Sequence, residues 1–236
     1  MRIRYALVGV TVLAGGLLLA ACNWVGIADE KFSDSRTLSE SVGEVRIASD
    51  SGDVTITSGD KLEVHRDVSY GDAKPGETFH VDGNVLVLED CPEQDCRVDY
   101  DVTVPKVTKV SGHLDSGDLE VTGATSANVE AESGDVTLRD VDGEVNAKAR
   151  SGNVDLSGIQ GAVVAGARSG NVTVALAEPG SVTASTSSGD VDVTVPKGRY
   201  RVVIQADEAT NELGGGTSGP RIELRSDSGD VTLRPA

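Results

Sequence analysis

A chain of 236 residues with 21 basic and 38 acidic side chains carries a formal charge of −17, which excludes the counterion-releasing contact that nucleic-acid binding needs. Aromatic residues make up only 3% of it while glycine occurs 28 times, so a thick core built on large rings is excluded and Val, Ala, Leu and Ile must fill the interior. The same acidity opposes anionic lipid headgroups and serves most plainly as a source of solubility.

The first segment reads as a leader. Arg2 and Arg4 precede an apolar stretch from Ala6 to Leu19, broken only by Gly9, Thr11, Gly15 and Gly16, and the small residues Ala20 and Ala21 lead into Cys22. A bilayer-spanning helix needs roughly 20 apolar residues, so this shorter run is a signal-peptide core. Leu19-Ala20-Ala21-Cys22 closely resembles the lipobox of bacterial lipoproteins. The resemblance implies that residues 1–21 are removed and that Cys22 becomes a lipidated N-terminus, with the membrane as its partner. An ordinary secretory cut beside an incidental thiol is the alternative. Each buried CH₂ of an acyl chain contributes roughly 0.8 kcal/mol, so two or three chains hold a protein stably on a membrane. The leader takes two arginines and no acids with it, so the mature charge falls from −17 to −19. Residues 22–41 come next as a lipidated cysteine and polar tether rich in Asp29, Glu30, Lys31, Ser33, Asp34 and Ser35, and 42–236 form one domain.

Val45, Ile47, Val54 and Ile56 flank a first Ser51-Gly52-Asp53-Val54 turn, and longer strands are expected over 62–68, 81–88 and 98–104. This N-terminal β region is less regular than the C-terminal half of the chain and suggests hairpins or wide turns. Cys91 and Cys96 bracket Pro92-Glu93-Gln94-Asp95. If lipid consumes Cys22, an even pair remains, and a disulfide with a local role is expected. It would stabilise by at most about 2 kcal/mol. A metal pair lacks further Cys or His nearby, and a redox pair lacks the C-x-x-C spacing.

From residue 116 a phrase, Ser-Gly-(Asp/Asn)-(Val/Leu), recurs with its glycines at Gly117, Gly134, Gly152, Gly170 and Gly189, spaced 17, 18, 18 and 19 residues apart. Outlying copies centre on Gly52 and Gly229. A constant period near 18 is the signature of stacked repeats that are stable only against their neighbours. Apolar residues follow Gly134 at Val136, Leu138, Val141, Val145, Ala147 and Ala149, and Gly152 at identical offsets from Val154 to Ala167. Within each short run they alternate, which is strand behaviour. The extra residue of the next copy falls at Glu178-Pro179-Gly180, a turn where insertion is cheap. The expected fold is therefore all-β, a single parallel β-solenoid or β-helix of ~18-residue rungs. The Ser-Gly-Asp/Asn phrase makes its turns, with glycine at positive φ. Stacked carboxylates about 5 Å apart repel by roughly 1 kcal/mol in water. Asn153 and Asn171, between Asp135 and Asp190, would relieve this by laddering their amides, and Glu132 would stack over Arg150 and then Arg168. A strand through Tyr200, Val202 and Ile204 precedes a polar excursion, and Val231, Leu233 and Pro235 close the last rung.

The lipobox, the repeated turns, and Val104-Pro105-Lys106 and Val195-Pro196-Lys197 after strands together resemble the bacterial "putative adhesin" family, over about 42–236. The resemblance implies envelope-associated β-solenoids of unknown biochemical function, and it carries over no catalytic residues.

Candidate chemistry is sparse. His65, His80 and His113 lie far apart, with no metal spacing or nucleophile elbow around them. Gly214-Gly215-Gly216-Thr217-Ser218-Gly219 matches G-x-G-x-x-G, but Pro220 and a strand-like run follow where a dinucleotide site requires a helix. Calcium is one alternative, through the pairs Asp50/Asp53, Asp115/Asp118 and Asp227/Asp230. A polysaccharide-acting β-helix enzyme is another, though it would need clustered acids and aromatic platforms. The expected role is a non-catalytic binding or structural surface outside the cytoplasm, without cofactor or metal, facing wall polymer, glycan or an envelope protein.

Overall fold

The computed structural model describes residues 30–71, 73–92, 95–105 and 108–236. The leader, Cys22, the first part of the expected tether, Glu93-Gln94 and Lys106 lie outside the described residues. The described residues form strands, turns and bends without a helix. In chain order the strands are β1 (Glu30–Leu38), β2 (Glu44–Ser51), β3 (Val54–Gly59), β4 (Leu62–Tyr70), β5 (Phe79–Asp82), β6 (Val85–Glu89), β7 (Arg97–Pro105), β8 (Lys109–Ser116), β9 (Leu119–Thr122), β10 (Ser126–Ser133) and β11 (Val136–Arg139). They continue as β12 (Val145–Ser151), β13 (Val154–Ile159), β14 (Val163–Ser169), β15 (Val172–Leu176), β16 (Val182–Ser188), β17 (Val191–Val195), β18 (Arg201–Gln205), β19 (Glu208–Asn211), β20 (Arg221–Ser226) and β21 (Asp230–Pro235).

Two large, mostly parallel sheets result. One has eleven strands in the order β1-β4-β7-β3-β9-β11-β13-β15-β17-β21-β19, the other ten in the order β18-β20-β16-β14-β12-β10-β8-β2-β6-β5. Across the repeats, equivalent residues are direct neighbours: Val136 pairs with Val154, Val154 with Val172 and Val172 with Val191 in the first sheet. Ala147 pairs with Ala165 and Ala165 with Ala184 in the second. The inner faces meet in a narrow core in which Val136, Leu138, Val145, Ala147, Val154 and Leu156 are all buried. Alternation puts these side chains inside, and the small Ala column keeps the sheets close enough for Val and Leu opposite to fill the gap. The Glu178-Pro179-Gly180 insertion is absorbed before β16, which regains register with Val163 opposite Val182.

The flanks depart from an all-parallel expectation. The eleven-stranded sheet contains antiparallel β1–β4 and β4–β7 pairs, and the ten-stranded sheet an antiparallel β5–β6 pair. The first turn repeat stacks directly on the second although 65 residues separate Gly52 from Gly117: β2 pairs with β8 and β3 with β9. The intervening chain loops out and returns as β6 and β7 on the far side of β2 and β3. At the other end β20 and β21 join β16 and β17, while β18 and β19 lie outside them. Pro235, expected to close an edge, is therefore paired beside Val195 in an interior strand.

The tether expectation is corrected over residues 30–38. These form β1, paired along its whole length with β4 from Glu30–Tyr70 to Leu38–Leu62. Its polar composition reflects an edge strand whose residues are mostly exposed, with Phe32 and Leu38 half-buried against the core. Cys91 and Cys96 are joined by a disulfide with Cα atoms 5.8 Å apart, at the rim where β6 turns towards β7.

Candidate binding surfaces

The repeated turns form one continuous column. All seven glycines of the phrase, Gly52 to Gly229, have φ between 111° and 147°. At Gly152 a Cβ would lie 2.0 Å from the carbonyl oxygen of Gly134, so the next turn leaves no room for a side chain. The residue after each glycine then acts as a clip. The backbone N–H of Asp53 donates to Asp99 Oδ1, Asp118 N–H to Asp53 Oδ1, and Asp135 N–H to Asp118 Oδ1. The series continues with Asn153 onto Asp135, Asn171 onto Asn153, Asp190 onto Asn171 and Asp230 onto Asp190, every bond between 2.7 and 2.9 Å.

This corrects the expected amide ladder. The common feature of Asp and Asn here is a side-chain oxygen that accepts the neighbour's N–H, and just one amide, Asn153 Nδ2 on Asp135 Oδ1 at 3.3 Å, donates along the column. Arg97 sits at the N-terminal end, 3.2 Å from Asp53 and 3.0 Å from Asp99. Glu132 pairs with Arg150 at 2.7 Å, as stacking predicts.

The three histidines remain apart. His65 Nδ1 bonds Ser35 Oγ at 2.7 Å on the β1–β4 pair, His80 lies 3.3 Å from Glu89, and His113 lies 3.8 Å from Asp115. Stacking of β8 on β2 does bring together Asp50, His113 and Asp115, whose donor atoms lie within 4.8 Å of one another. Sequence reading missed this set because Asp50 lies 63 and 65 residues before His113 and Asp115. One imidazole with two carboxylates suits a transition ion better than calcium, which takes oxygen donors. Asp90 lies alongside, with Oδ1 buried and unpartnered. Burial pushes its carboxyl above the usual range, assisted by the charges of Asp50 and Asp115. In the two D-S-G-D clusters around Asp53 and Asp118, the second aspartate spends one oxygen on the column. Asp227, in the third, is paired with Arg225 at 2.8 Å.

A buried arginine was also missed. Arg66, 6% exposed, points inward from β4 and makes a two-pronged bond to Asp34 of β1, at 2.7 and 2.8 Å. It also donates to the Gly76 carbonyl and Thr78 Oγ1, and its guanidinium lies 5.6 Å from the Phe32 ring centre and 5.7 Å from that of Phe79. The Arg66 bond holds Asp34 below the usual carboxylate range. Tyr100 closes the cluster by donating its hydroxyl towards Thr78 and the Glu89 carbonyl, and burial pushes its phenol up. These contacts fasten β1 to the domain, and they use the Arg66 guanidinium on Asp34, Gly76 and Thr78.

The G-x-G-x-x-G match leads into β20 with no helix, so it lacks the N-terminal amides that would hold a pyrophosphate. The outer face of the ten-stranded sheet carries two open depressions. A shallow depression of about 590 Å³ bordered by Glu44, Lys109, Asn128, Glu144, Asn146 and Lys148 adjoins one of about 290 Å³ bordered by Glu130, Lys148, Arg150, Arg168, Thr183 and Ser185, so acids and bases alternate along the face. Both are open to solvent and share Lys148 and Val164. Such a face can hold an extended ligand by many shallow contacts.

The family model described as Toastrack DUF4097 matches residues 39–234. No curated protein matches the chain. Among solved structures, a "putative adhesin" from Bacteroides fragilis shares 14% identity at a TM-score of 0.42, covering 89% of this chain and 99% of its own. A "putative cell adhesion protein" from Clostridium sporogenes shares 16% at 0.34, covering 88% and 100%. A "putative adhesin" from Parabacteroides distasonis shares 12% at 0.32, covering 88% and 97%.

Proposed function

The chain belongs to the Toastrack DUF4097 family, and from that premise we propose that it is a lipid-anchored protein of the bacterial cell envelope whose adhesin-like β domain is a non-catalytic binding or structural surface. The observation that carries the reading is the unbroken column of turn bonds from Asp99 to Asp230. Each clip fixes one repeat on the next, so the two outer faces form a rigid, extended display surface. Among the described residues the depressions on those faces are shallow, which suits a polymer or a protein better than the enclosed transition state of an enzyme.

In this reading residues 109–195 are one coil of about 18 residues per rung, with the antiparallel flank capping one end. Cys22 carries the lipid, and β1 transmits the anchor to the domain through Arg66. The partner is wall polymer, glycan or another envelope protein. Feeding cells an alkyne fatty acid tests the anchor: the wild-type chain should be labelled and sediment with membranes, and Cys22→Ser should be unlabelled and released. Crosslinking on intact cells should capture an envelope partner. An unlabelled protein in the cytosol, or purified chain that depolymerises a polysaccharide, would overturn the proposal.

A further inference from the structure

The last rung of the stack is unlike the rungs inside it. β18 ends the ten-stranded sheet beside β20, and β19 ends the eleven-stranded sheet beside β21. Among the described residues each is therefore hydrogen-bonded along one side and bare along the other. The N–H of Arg201 is used on Pro220 O, so alternation turns the amides of Val202 and Ile204 to the bare side. The core is unfinished there as well. Val202 and Ile204 lie beside Ile222 and Leu224, which are fully buried, yet they are themselves half-buried, as are Ala206 and Leu213. Val203, on the outer face, is 38% exposed. An open strand edge over exposed core is a template for another strand, and proteins ordinarily blunt it with a cap or with charge.

Charge is present at this end, but it is sorted. Residues 197–205 carry Lys197, Arg199 and Arg201 and no acid, and residues 206–213 carry Asp207, Glu208 and Glu212 and no base. All six are exposed. Among the described residues none of the six has an ion-pair partner, whereas the strands just inside neutralise themselves. Arg221 pairs with Glu223 at 2.9 Å, Arg225 with Asp227 at 2.8 Å and Arg234 with Asp192 at 3.8 Å. Register sets Arg201 beside Arg221 and Glu208 beside Asp230, so neither end strand finds its counter-charge inward. A basic edge and an acidic edge thus face out of the same end, roughly 10 Å apart across the core.

Such an end is complementary to itself. Half a turn about an axis along the strands, midway between the sheets, lays β18 of one copy against β19 of the other and the reverse, which closes a two-fold pair. Counting outward from the Ala206-Asp207 turn brings Gln205 level with Glu208 and Arg201 level with Glu212. Each copy then sets Arg201 near Glu212 of the partner subunit, twice per pair, while Val202, Ile204 and Leu213 go under cover. β1 is at the other end of its sheet from β19, so the two β1 strands lie at the far ends of the pair.

We propose that the protein associates end to end with a second copy of itself, β18 against β19 of the partner subunit, selected by the Arg201–Glu212 pairs. This goes beyond the binding-surface reading, which a monomer would leave intact. One rung is a small contact, so the dissociation constant is expected at roughly 10–100 μM. Sedimentation velocity of the full chain in density-matched detergent, from about 1 to 500 μM, should show monomer giving way to dimer and to nothing larger, less readily at high salt. Arg201→Glu and Glu212→Arg should each weaken association by about tenfold or more, and the two together should restore most of the loss, because the pair is rebuilt with its signs exchanged. Arg46→Glu, on β2, makes the same change in net charge as Arg201→Glu and should alter nothing. Hydrogen exchange at low and high concentration needs no variant: the Val202 and Ile204 amides should gain protection as the dimer forms. A monomer at every concentration, open-ended polymers, indifference to salt, a double variant no better than the single ones, or an equal loss in Arg46→Glu would each overturn the inference. Protection of β18 that appears only in a crosslinked complex with a different envelope protein would assign the edge to that partner and overturn self-pairing. In every one of these cases fatty-acid labelling and crosslinking still decide the anchored-surface reading separately.

Discussion

Replacing Gly152 with alanine tests the physical basis of the turn column. The added Cβ would sit 2.0 Å from Gly134 O, with the residue held at φ +147°. A left-handed conformation costs a residue bearing Cβ about 1–2 kcal/mol. Relieving the overlap requires the two turns to separate by about 1.2 Å, since a carbon–oxygen contact needs roughly 3.2 Å. Beside the longer Asn153 Nδ2 contact to Asp135 Oδ1, three backbone N–H bonds cross that turn junction: Gly134 N–H to Ser151 O at 2.9 Å, Val136 N–H to Asn153 O at 2.9 Å, and Asn153 N–H to Asp135 Oδ1 at 2.7 Å. Opening by that much takes all three out of bonding range, at about 1 kcal/mol each. Gly152→Ala should therefore destabilise by about 4–5 kcal/mol, a large share of the 5–15 kcal/mol typical of a domain. Gly166→Ala is the matched control: Gly166 lies inside β14 without a positive φ, and a Cβ there would meet nothing closer than Ser185 O at 3.7 Å. It should be neutral or stabilising by about 0.5–1 kcal/mol, because it only restricts the unfolded chain. Urea unfolding followed by circular dichroism, comparing midpoints at constant slope, reads both. A Gly152→Ala midpoint within about 1 kcal/mol of the Gly166→Ala value would refute the close-approach argument.

The column makes a second prediction: Asp118→Asn keeps the acceptor for Asp135 N–H and should be neutral or slightly stabilising, whereas Asp118→Ala should cost about 1 kcal/mol in the same unfolding assay. Asp90 titrates with the opposite sign to a salt-bridged carboxylate. Its folded pKa is raised, so the folded state binds the extra proton, and stability falls as pH rises from the unfolded carboxylate value through the folded one. Asp90→Asn should accordingly raise the melting temperature at pH 7, with the gain vanishing in acid; a gain that persists at low pH would contradict this. Asp34 is lowered by Arg66, so its contribution is present above the unfolded carboxylate pKa and is lost as pH falls through the folded one. Arg66→Met should strip hydrogen-exchange protection from residues 30–38 while leaving 136–195 protected. The cost should be about 1–3 kcal/mol, below that of a fully buried pair because the Asp34 side chain is 46% exposed.

Much of the middle of the molecule was legible as sequence. Equal offsets of apolar residues from Gly134 and Gly152 correspond to side-by-side strands, because period-two alternation and a constant repeat leave only one register that buries the Val136, Leu138, Val145 and Ala147 columns together. The turn glycines were legible for the same reason. The partner of each turn Asp or Asn was less so, since a side-chain oxygen and a side-chain amide look alike in a repeat. At the ends the reading thinned. Nothing in residues 30–38 as text distinguishes a polar tether from a polar edge strand; that difference depends on Arg66, which lies 32 residues from Asp34 and finds it only once β4 is in place.

What the sequence determined by itself was the local grammar: where the chain turns, which side chains face inward, and that successive repeats lie against one another. Those properties are carried by residues near each other, or at a fixed interval, so a one-dimensional pattern contains them. Tertiary structure alone decided that Gly52 stacks on Gly117 across a 65-residue excursion, and that β18 and β19, one basic and one acidic, finish the two sheets at the same end. Loop closure costs only slightly more as a loop lengthens, so a long excursion can end wherever the next open strand edge is available, and the intervening sequence does not encode its length as a signal.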